Sequence, residues 1–171
     1  MQTEVLVQNA KNGDKDALVQ LITAKKQDYY KLAYVYMRNQ EDSLDAMEDM
    51  IVILYESISK LKKDVAFYSW SKTILVNCCK SLLRKNKKVV SLDTVQEEVS
   101  EDTFCQKDEQ IVLEVHLSTL STKYQEVLKL RFFLDLDYQT IADLLKIPIG
   151  TVKSRLSIGL KKLQESLGGD K

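Results

Sequence analysis

The stretch YQTIADLLKIPIGTVKSRLSIGLKKL, residues 138–163, decides how this chain is read. Asp137 stands immediately before it and is placed to cap a short helix, YQTIADLL, whose inner face is Ile141, Leu144 and Leu145. A tight turn follows at Lys146, Ile147 and Pro148, and a longer helix starts near Ile149. Its apolar stripe is Ile149, Val152, Leu156, Leu160 and Leu163. The other face carries Thr151, Ser154, Arg155, Ile158, Lys161 and Lys162, with Lys153 at the boundary. A short helix, a three- or four-residue turn and a second helix with a basic polar face form a helix-turn-helix. In such a reader Arg155 takes a guanine edge, Thr151 and Ser154 meet bases or phosphates, and Lys153 and Lys161 meet phosphates.

Outward from that motif, the chain reads as all-α. One Pro and five Gly among 171 residues leave few turn signals, and a 44% apolar fraction is enough for a core. No apolar run approaches the roughly 18 residues that span a bilayer, and the polar N-terminus MQTEVLVQNAKNGDKD lacks a signal core, so a cytoplasmic protein is expected. Cys78, Cys79 and Cys105 fit a reducing compartment; adjacent Cys78 and Cys79 read as small core residues. No metal cluster, phosphate-binding Gly loop or nucleophile constellation is visible, so neither a metal nor another cofactor is expected and an enzyme fares badly. The single histidine, His116, lies in a mostly apolar segment and reads as structural.

The formal net charge is zero, but its distribution is not uniform. Residues 72–88 carry Lys72, Lys80, Arg84, Lys85, Lys87 and Lys88 with no acid, and 146–162 is likewise basic without acids. Acids gather in 41–56 and 93–114. Two basic islands between acidic blocks point to two places that meet phosphate and others that meet a basic partner.

Residues from about 3 to 88 read as helices, with Asp14 capping after Gly13 and an apolar pattern running from Leu18, Leu21 and Ile22 into Tyr29, Leu32, Ala33 and Tyr36. A helix over 42–61 places Leu44, Met47, Ile51, Leu54, Ile58 and Leu61 on one stripe, read as core, with Asp45, Glu48, Asp49 and Glu56 opposite. Residues 39–59 hold six acids and no Lys or Arg, which suits a docking surface better than a mixed solvated face. The next helix, about 67–86, has Phe67, Ile74, Cys78 and Leu82 on one side. Trp70, Asn77 and Arg84, seven apart, line up on another, flanked by Lys80 and Lys88. Cations for phosphates, a ring that stacks and an amide that reads an edge suit nucleic acid.

Residues 89–107 lose periodicity and turn acidic, which reads as a flexible linker. Beyond it, Ile111, Val115 and Leu117 open a helix closing at Leu120, Thr122 and Gln125 suggest a capping box, and Tyr124, Val127, Leu128 and Phe132 form the next apolar face. The organisation expected is therefore an N-terminal helical domain over 1–88, an acidic linker over 89–107 and a C-terminal helical domain over 108–171.

Residues 138–163, above all the run Gly150 to Leu156, resemble the C-terminal DNA-reading region of bacterial sigma factors of the sigma-70 family, and YQEVLKLRFF, residues 124–133, fits the same region. EDSLDAMEDMI, 41–51, is similar to the family's polymerase-binding helix, and FYSWSKTILVNCCKSLLRKNKK, 67–88, to its promoter-melting helix. Length and layout match the small extracytoplasmic-function group. The resemblance covers nearly the whole chain outside the linker. It implies a transcription initiation factor, not an enzyme, with sigma region 2 at the N-terminus and region 4 at the C-terminus. Asp45, Glu48 and Asp49 would meet the basic clamp coiled coil of core RNA polymerase, with the flap as a further contact. The loop 62–67 and the helix after it would hold the melted −10 strand with one base flipped out, through Trp70, Asn77, Lys80, Arg84 and Lys88. The helix carrying Thr151, Lys153, Ser154, Arg155 and Lys161 would read the −35 duplex. An anti-sigma factor is the inhibitor the family implies.

Departures from the family pattern are Ser81 where an acid is common, Pro148 where a Ser often caps, and Ser157 and Ile158 where basic residues are common. They imply a −35 grip with fewer phosphate contacts and a shallower salt dependence. The alternative is a freestanding helix-turn-helix regulator acting as a dimer on a palindrome; no dimerisation helix is evident in the sequence.

Overall fold

The computed structural model describes residues 2–90 and 108–168, with the side chains of 87–90 and 108–112 excepted. All its regular elements are helical. The chain divides into two compact units, residues 1–98 and 99–171. Much of the expected linker, with Cys105, lies outside the described residues.

In the first unit α1 (Gln2–Lys11) and α2 (Lys15–Ala24) are joined by a turn at Gly13, whose φ of +100° suits a residue without a Cβ. Asp14 caps α2 as expected: its carboxylate accepts the N–H groups of Asp16 at 3.0 Å and Ala17 at 3.2 Å. The apolar pattern that runs on without interruption in the sequence is broken in the structure. Lys25 leaves helical geometry (φ −119°, ψ 22°), and α3 (Lys26–Met37) is a separate helix. No Gly or Pro marks this break. Tyr36 is half-buried and Met37 takes the buried place instead.

Helix α4 (Gln40–Ser57) starts two residues earlier than its apolar periodicity indicates. Asn39 is the cause. Its Oδ1 accepts the Asp42 N–H at 2.8 Å while its Nδ2 donates to the Asp42 carboxylate at 2.8 Å. This is a reciprocal cap with Asp in the place usually held by Glu or Gln. A 3-10 turn, Ile58–Lys60, closes the helix.

The buried face of α4 is Ser43, Ala46, Met47, Met50 and Leu54, followed by Ile58 and Leu61. Leu44 and Ile51, read as core from their spacing, are 39% and 38% exposed. The true face is rotated by about one residue, because small Ser43 and Ala46 let α4 approach its neighbours, and both are fully buried.

A second 3-10 turn, Asp64–Ala66, leads into α5 (Phe67–Val90), which runs two residues into the segment expected as linker. Helices α3, α4 and α5 pack on one another. The buried residues of α5 are Phe67, Ser71, Leu75, Val76, Cys78 and Cys79, while Ile74 and Leu82 are half-buried. Burial pushes the Cys78 thiol up to about 11, with the Asp49 charge adding to it, and the Cys79 thiol up to about 12.

The second unit contains α6 (Asp108–Ser118), α7 (Thr122–Phe132), α8 (Tyr138–Leu145) and α9 (Ile149–Gly168). Its described buried residues are Leu117, Val127, Leu128, Leu130, Ile141, Ala142, Leu144, Val152 and Leu156, together with Lys129 and Gly159. Val115 and Phe132, counted as apolar-face residues from spacing, are 59% and 58% exposed. The Thr122–Gln125 capping box does not form. Ser121 is the N-cap and makes no side-chain cap bond, which puts Thr122 one position too late. Gln125 instead donates to the Leu120 carbonyl at 2.7 Å. His116 is structural: its Nδ1 lies 2.8 Å from Ser166 Oγ, tying α6 to the end of α9.

Candidate nucleic-acid and polymerase interfaces

Asp137 Oδ1 accepts the Thr140 N–H at 2.7 Å and sets the start of α8. This bond holds the Asp137 carboxyl below the usual carboxylate range. The connection before it is organised by Arg131, a residue the sequence reading passed over. Its guanidinium donates to the Leu136 carbonyl at 3.1 Å and lies 5.4 Å from the centre of the Tyr138 ring.

Helix α8 is closed after Leu145 by Lys146, which takes the left-handed conformation (φ 55°) while its N–H returns to the Ala142 carbonyl. Pro148 is the residue before α9, whose start at Ile149 agrees with the sequence reading. Its carbonyl accepts Thr151 N–H at 2.9 Å and Val152 N–H at 3.2 Å, so the first turn of α9 is closed by backbone alone.

On α9 the residues turned to the core are Val152, Leu156 and Gly159; Leu160 and Leu163 are half-buried, and Ile149 is 39% exposed. Lys153, Ser154, Ile158 and Lys161 are exposed, and Thr151 and Arg155 half-buried. The five expected reading residues therefore all lie outside the buried stripe of α9, with Lys153 and Arg155 on its opposite flanks. Lys162 differs: its ammonium lies 5.5 Å from the centre of the Tyr124 ring, toward α7.

Gly159 has no role in the sequence reading, yet it sets how closely α9 packs on α7. A Cβ there would meet Leu128 Cδ1 at 3.1 Å and Tyr124 Cβ at 3.4 Å. A small residue in the middle of the α9 core stripe was the available signal.

In the first unit Trp70, Asn77, Lys80 and Arg84 follow one another along α5. Asn77 and Arg84 are exposed, Lys80 is half-buried, and Trp70 is half-buried with its ring 6.2 Å from that of Phe67. Trp70 thus has one face on the core and another accessible. The Lys88 side chain lies outside the described residues.

Asp45, Glu48 and Asp49 are exposed on α4. They are interleaved with apolar side chains that the sequence reading sent to the core or did not weigh. Leu44, Ile51, Val52 and Tyr55 are all exposed and share the face of Glu48 at helical spacing, and Lys15 lies over the Tyr55 ring at 5.4 Å. The run Ile51–Tyr55 held the clue: five consecutive apolar residues go fully round a helix and cannot all be buried against one side. The face is therefore apolar with an acidic fringe, the composition of a protein-docking surface.

Among the described residues no group of three or more His, Cys, Asp or Glu side chains comes together, and no helix is long and apolar enough to cross a membrane.

Residues 21–89 match the family model for sigma-70 region 2, and residues 112–163 match that for sigma-70 region 4. The chain is 34% identical over 161 residues to RNA polymerase sigma factor SigV of Bacillus subtilis (strain 168), covering 92% of this chain and 95% of that protein. It is 25% identical over 182 residues to the ECF RNA polymerase sigma factor SigW of the same organism, with 98% and 97% covered. Among solved structures, CnrH in complex with the cytosolic domain of CnrY superposes with a TM-score of 0.72 at 19% identity, with both chains covered in full. The sigma factor RpoE in complex with the anti-sigma factor NepR from Bartonella quintana gives 0.67 at 24% identity, covering 89% of this chain and 97% of that one. These two structures share the all-helical fold. With two family models matched in order along the chain and a relative aligned over nearly its full length, this protein belongs to the sigma-70 family of RNA polymerase sigma factors, in its extracytoplasmic-function (ECF) group.

Proposed function

We propose that this initiation factor grips a promoter at two points, through residues that can be named, while α4 holds core RNA polymerase. The observation that carries the reading is the division of labour in the first unit. Helix α4 presents Leu44, Ile51, Val52 and Tyr55 fringed by Asp45, Glu48 and Asp49, whereas α5 presents Trp70, Asn77, Lys80 and Arg84. One face fits a basic protein surface, the clamp coiled coil of the polymerase; the other fits single-stranded DNA. Trp70 stacks on a base, Asn77 reads a base edge, and Lys80, Arg84 and Lys88 take phosphates of the melted −10 strand. In the second unit Arg155, Ser154 and Thr151 read the −35 duplex, with Lys153 and Lys161 on its backbone. The flap of the polymerase is the further contact of this unit.

The protein acts by binding, not by catalysis, and works in the cytoplasm beside polymerase. Each basic island is small, so each unit alone binds DNA weakly; joining both on the polymerase raises the effective concentration of the second contact. An anti-sigma factor would inhibit it by covering the α4 face or the DNA faces. The complexes formed by CnrH and by RpoE support that form of control.

The test is a core-polymerase pull-down with the wild type and the Asp45→Lys/Asp49→Lys variant. Both positions are exposed, so the fold is retained. The wild type is captured and the variant is lost. Capture of both to the same extent would show that α4 is not the docking face.

A further inference from the structure

The connection between α4 and α5 is held at both ends by buried side chains, Leu61 at 8% exposure and Phe67 at none. Between them the tip turns outward. Lys62 and Lys63 are exposed, and Val65, at 73%, is the most exposed of the large apolar side chains described. Two cations and an apolar side chain at a loop tip match the phosphates and a base of an extruded nucleotide.

Local bonds across this tip are two backbone turns, the Ala66 N–H to the Lys63 carbonyl at 3.0 Å and the Phe67 N–H to the Asp64 carbonyl. The long-range anchor is Asp64. Lys11 Nζ at the end of α1 lies 2.6 Å from Asp64 Oδ1, and the Gln8 side-chain amide donates to Asp64 Oδ2. Both oxygens of one carboxylate are thus engaged by residues one helical turn apart on α1, more than 50 residues away in sequence. The ion pair is largely shielded, with side chains 17% and 18% exposed. These two donors also hold the Asp64 carboxyl below the usual carboxylate range.

We infer that Lys11 and Gln8 are positioning residues for promoter opening: by clamping Asp64 they fix the loop tip of Lys62, Lys63 and Val65 in the place where it receives a base of the melted strand. This rests on the reading of that loop as part of the −10 site. Neither α1 residue touches DNA. They act by removing freedom from the loop before the base arrives, so that ordering it costs less on capture.

The test uses holoenzyme assembled from the full chain and core polymerase, on a promoter fragment chosen by run-off transcription and carrying 2-aminopurine in its melted segment. Four variants are compared with wild type: Lys11→Met, Asp64→Asn, Lys11→Arg, and the loop-tip triple change Lys62→Ser/Lys63→Ser/Val65→Ser. Lys11→Met and Asp64→Asn are expected to slow the fluorescence rise about fivefold, the effect of losing one shielded ion pair, and to flatten base preference at the melted positions. Core affinity, binding of a −35 duplex and the melting temperature stay at wild-type values, and Lys11→Arg restores opening. Wild-type opening by Lys11→Met and Asp64→Asn, alongside a slow loop-tip variant, would overturn the clamp and leave the loop reading standing. Wild-type opening by the loop-tip variant would overturn both. A parallel fall in melting temperature and core affinity would reduce the clamp to a structural tie and overturn the inference.

Discussion

The Tyr29 hydroxyl of α3 and Ser71 Oγ of α5 lie 2.8 Å apart in the core of the first unit, with both residues fully buried. Ser71 already donates to the Tyr68 carbonyl at 3.0 Å, so the phenol is the donor of the pair. The bond ties α5, which carries the Trp70 stripe, to the helix beneath it. Ser71→Ala should cost more than Tyr29→Phe at this bond. The first strands a buried phenol, at about 1–3 kcal/mol, whereas the second leaves Ser71 with a partner and loses about 1 kcal/mol of net hydrogen bonding. Urea unfolding of the two single variants and the double variant checks the order; equal losses would show that the phenol finds another acceptor.

Close packing at Gly159 gives the second prediction. A side chain there enters the contact with Leu128 and Tyr124. Gly159→Val should destabilise the second unit by about 1–3 kcal/mol through overpacking, despite removing a flexible glycine from a helix. Thermal unfolding of the variant and of Gly150→Val makes the comparison. Gly150 has no neighbour within 4 Å of an added Cβ and should tolerate the change.

How far these sites could be read from sequence differs between the two units. Around α8 and α9 local rules gave the Asp137 cap, the turn at Lys146 and the buried Val152 and Leu156, but they also put Ile149, which is exposed, on the core stripe. On α4 the same periodicity argument put Leu44 and Ile51 inside, because it ranks residues by apolarity and overlooked small Ser43 and Ala46. That rotation concealed the apolar half of the exposed α4 face. The Lys11–Asp64 clamp was illegible for another reason: a pairing across more than 50 residues leaves no spacing pattern.

The two classes of residue on α9 should separate in a salt titration. Lys161→Ala is expected to weaken promoter binding by holoenzyme on all −35 sequences alike and to lower the slope of log K against log salt by about one. Arg155→Ala should cost about 1–3 kcal/mol on the preferred −35 sequence only. Filter binding at several salt concentrations measures both. The reverse pattern would exchange the two roles.

The buried thiols give a prediction for pH. Burial raises Cys78 to about 11 and Cys79 to about 12, both above the ordinary thiol value of 9.0. The neutral form is the one favoured in the fold, so this stabilisation is complete below pH 9 and is lost as pH rises from there through 11 and 12. Burial raises the Tyr29 phenol too, in the same direction. Denaturant midpoints across alkaline pH should fall in that window, and less steeply in Cys78→Ala/Cys79→Ala. At neutral pH, peptide mass spectrometry after iodoacetamide should find Cys78 and Cys79 unmodified in the folded protein. A flat alkaline profile, or rapid alkylation at neutral pH, would mean the thiols are less buried than they stand here.

The central claim is that this chain directs polymerase to promoters through the two named DNA faces. Run-off transcription measures it most directly, using core polymerase, the full chain and fragmented genomic DNA. Discrete transcripts should appear only when the chain is added, and should be lost with Asp45→Lys/Asp49→Lys, with Arg155→Ala and with Trp70→Ala. Transcripts that persist unchanged with all three variants, or none above core polymerase alone with the wild type, would contradict the account.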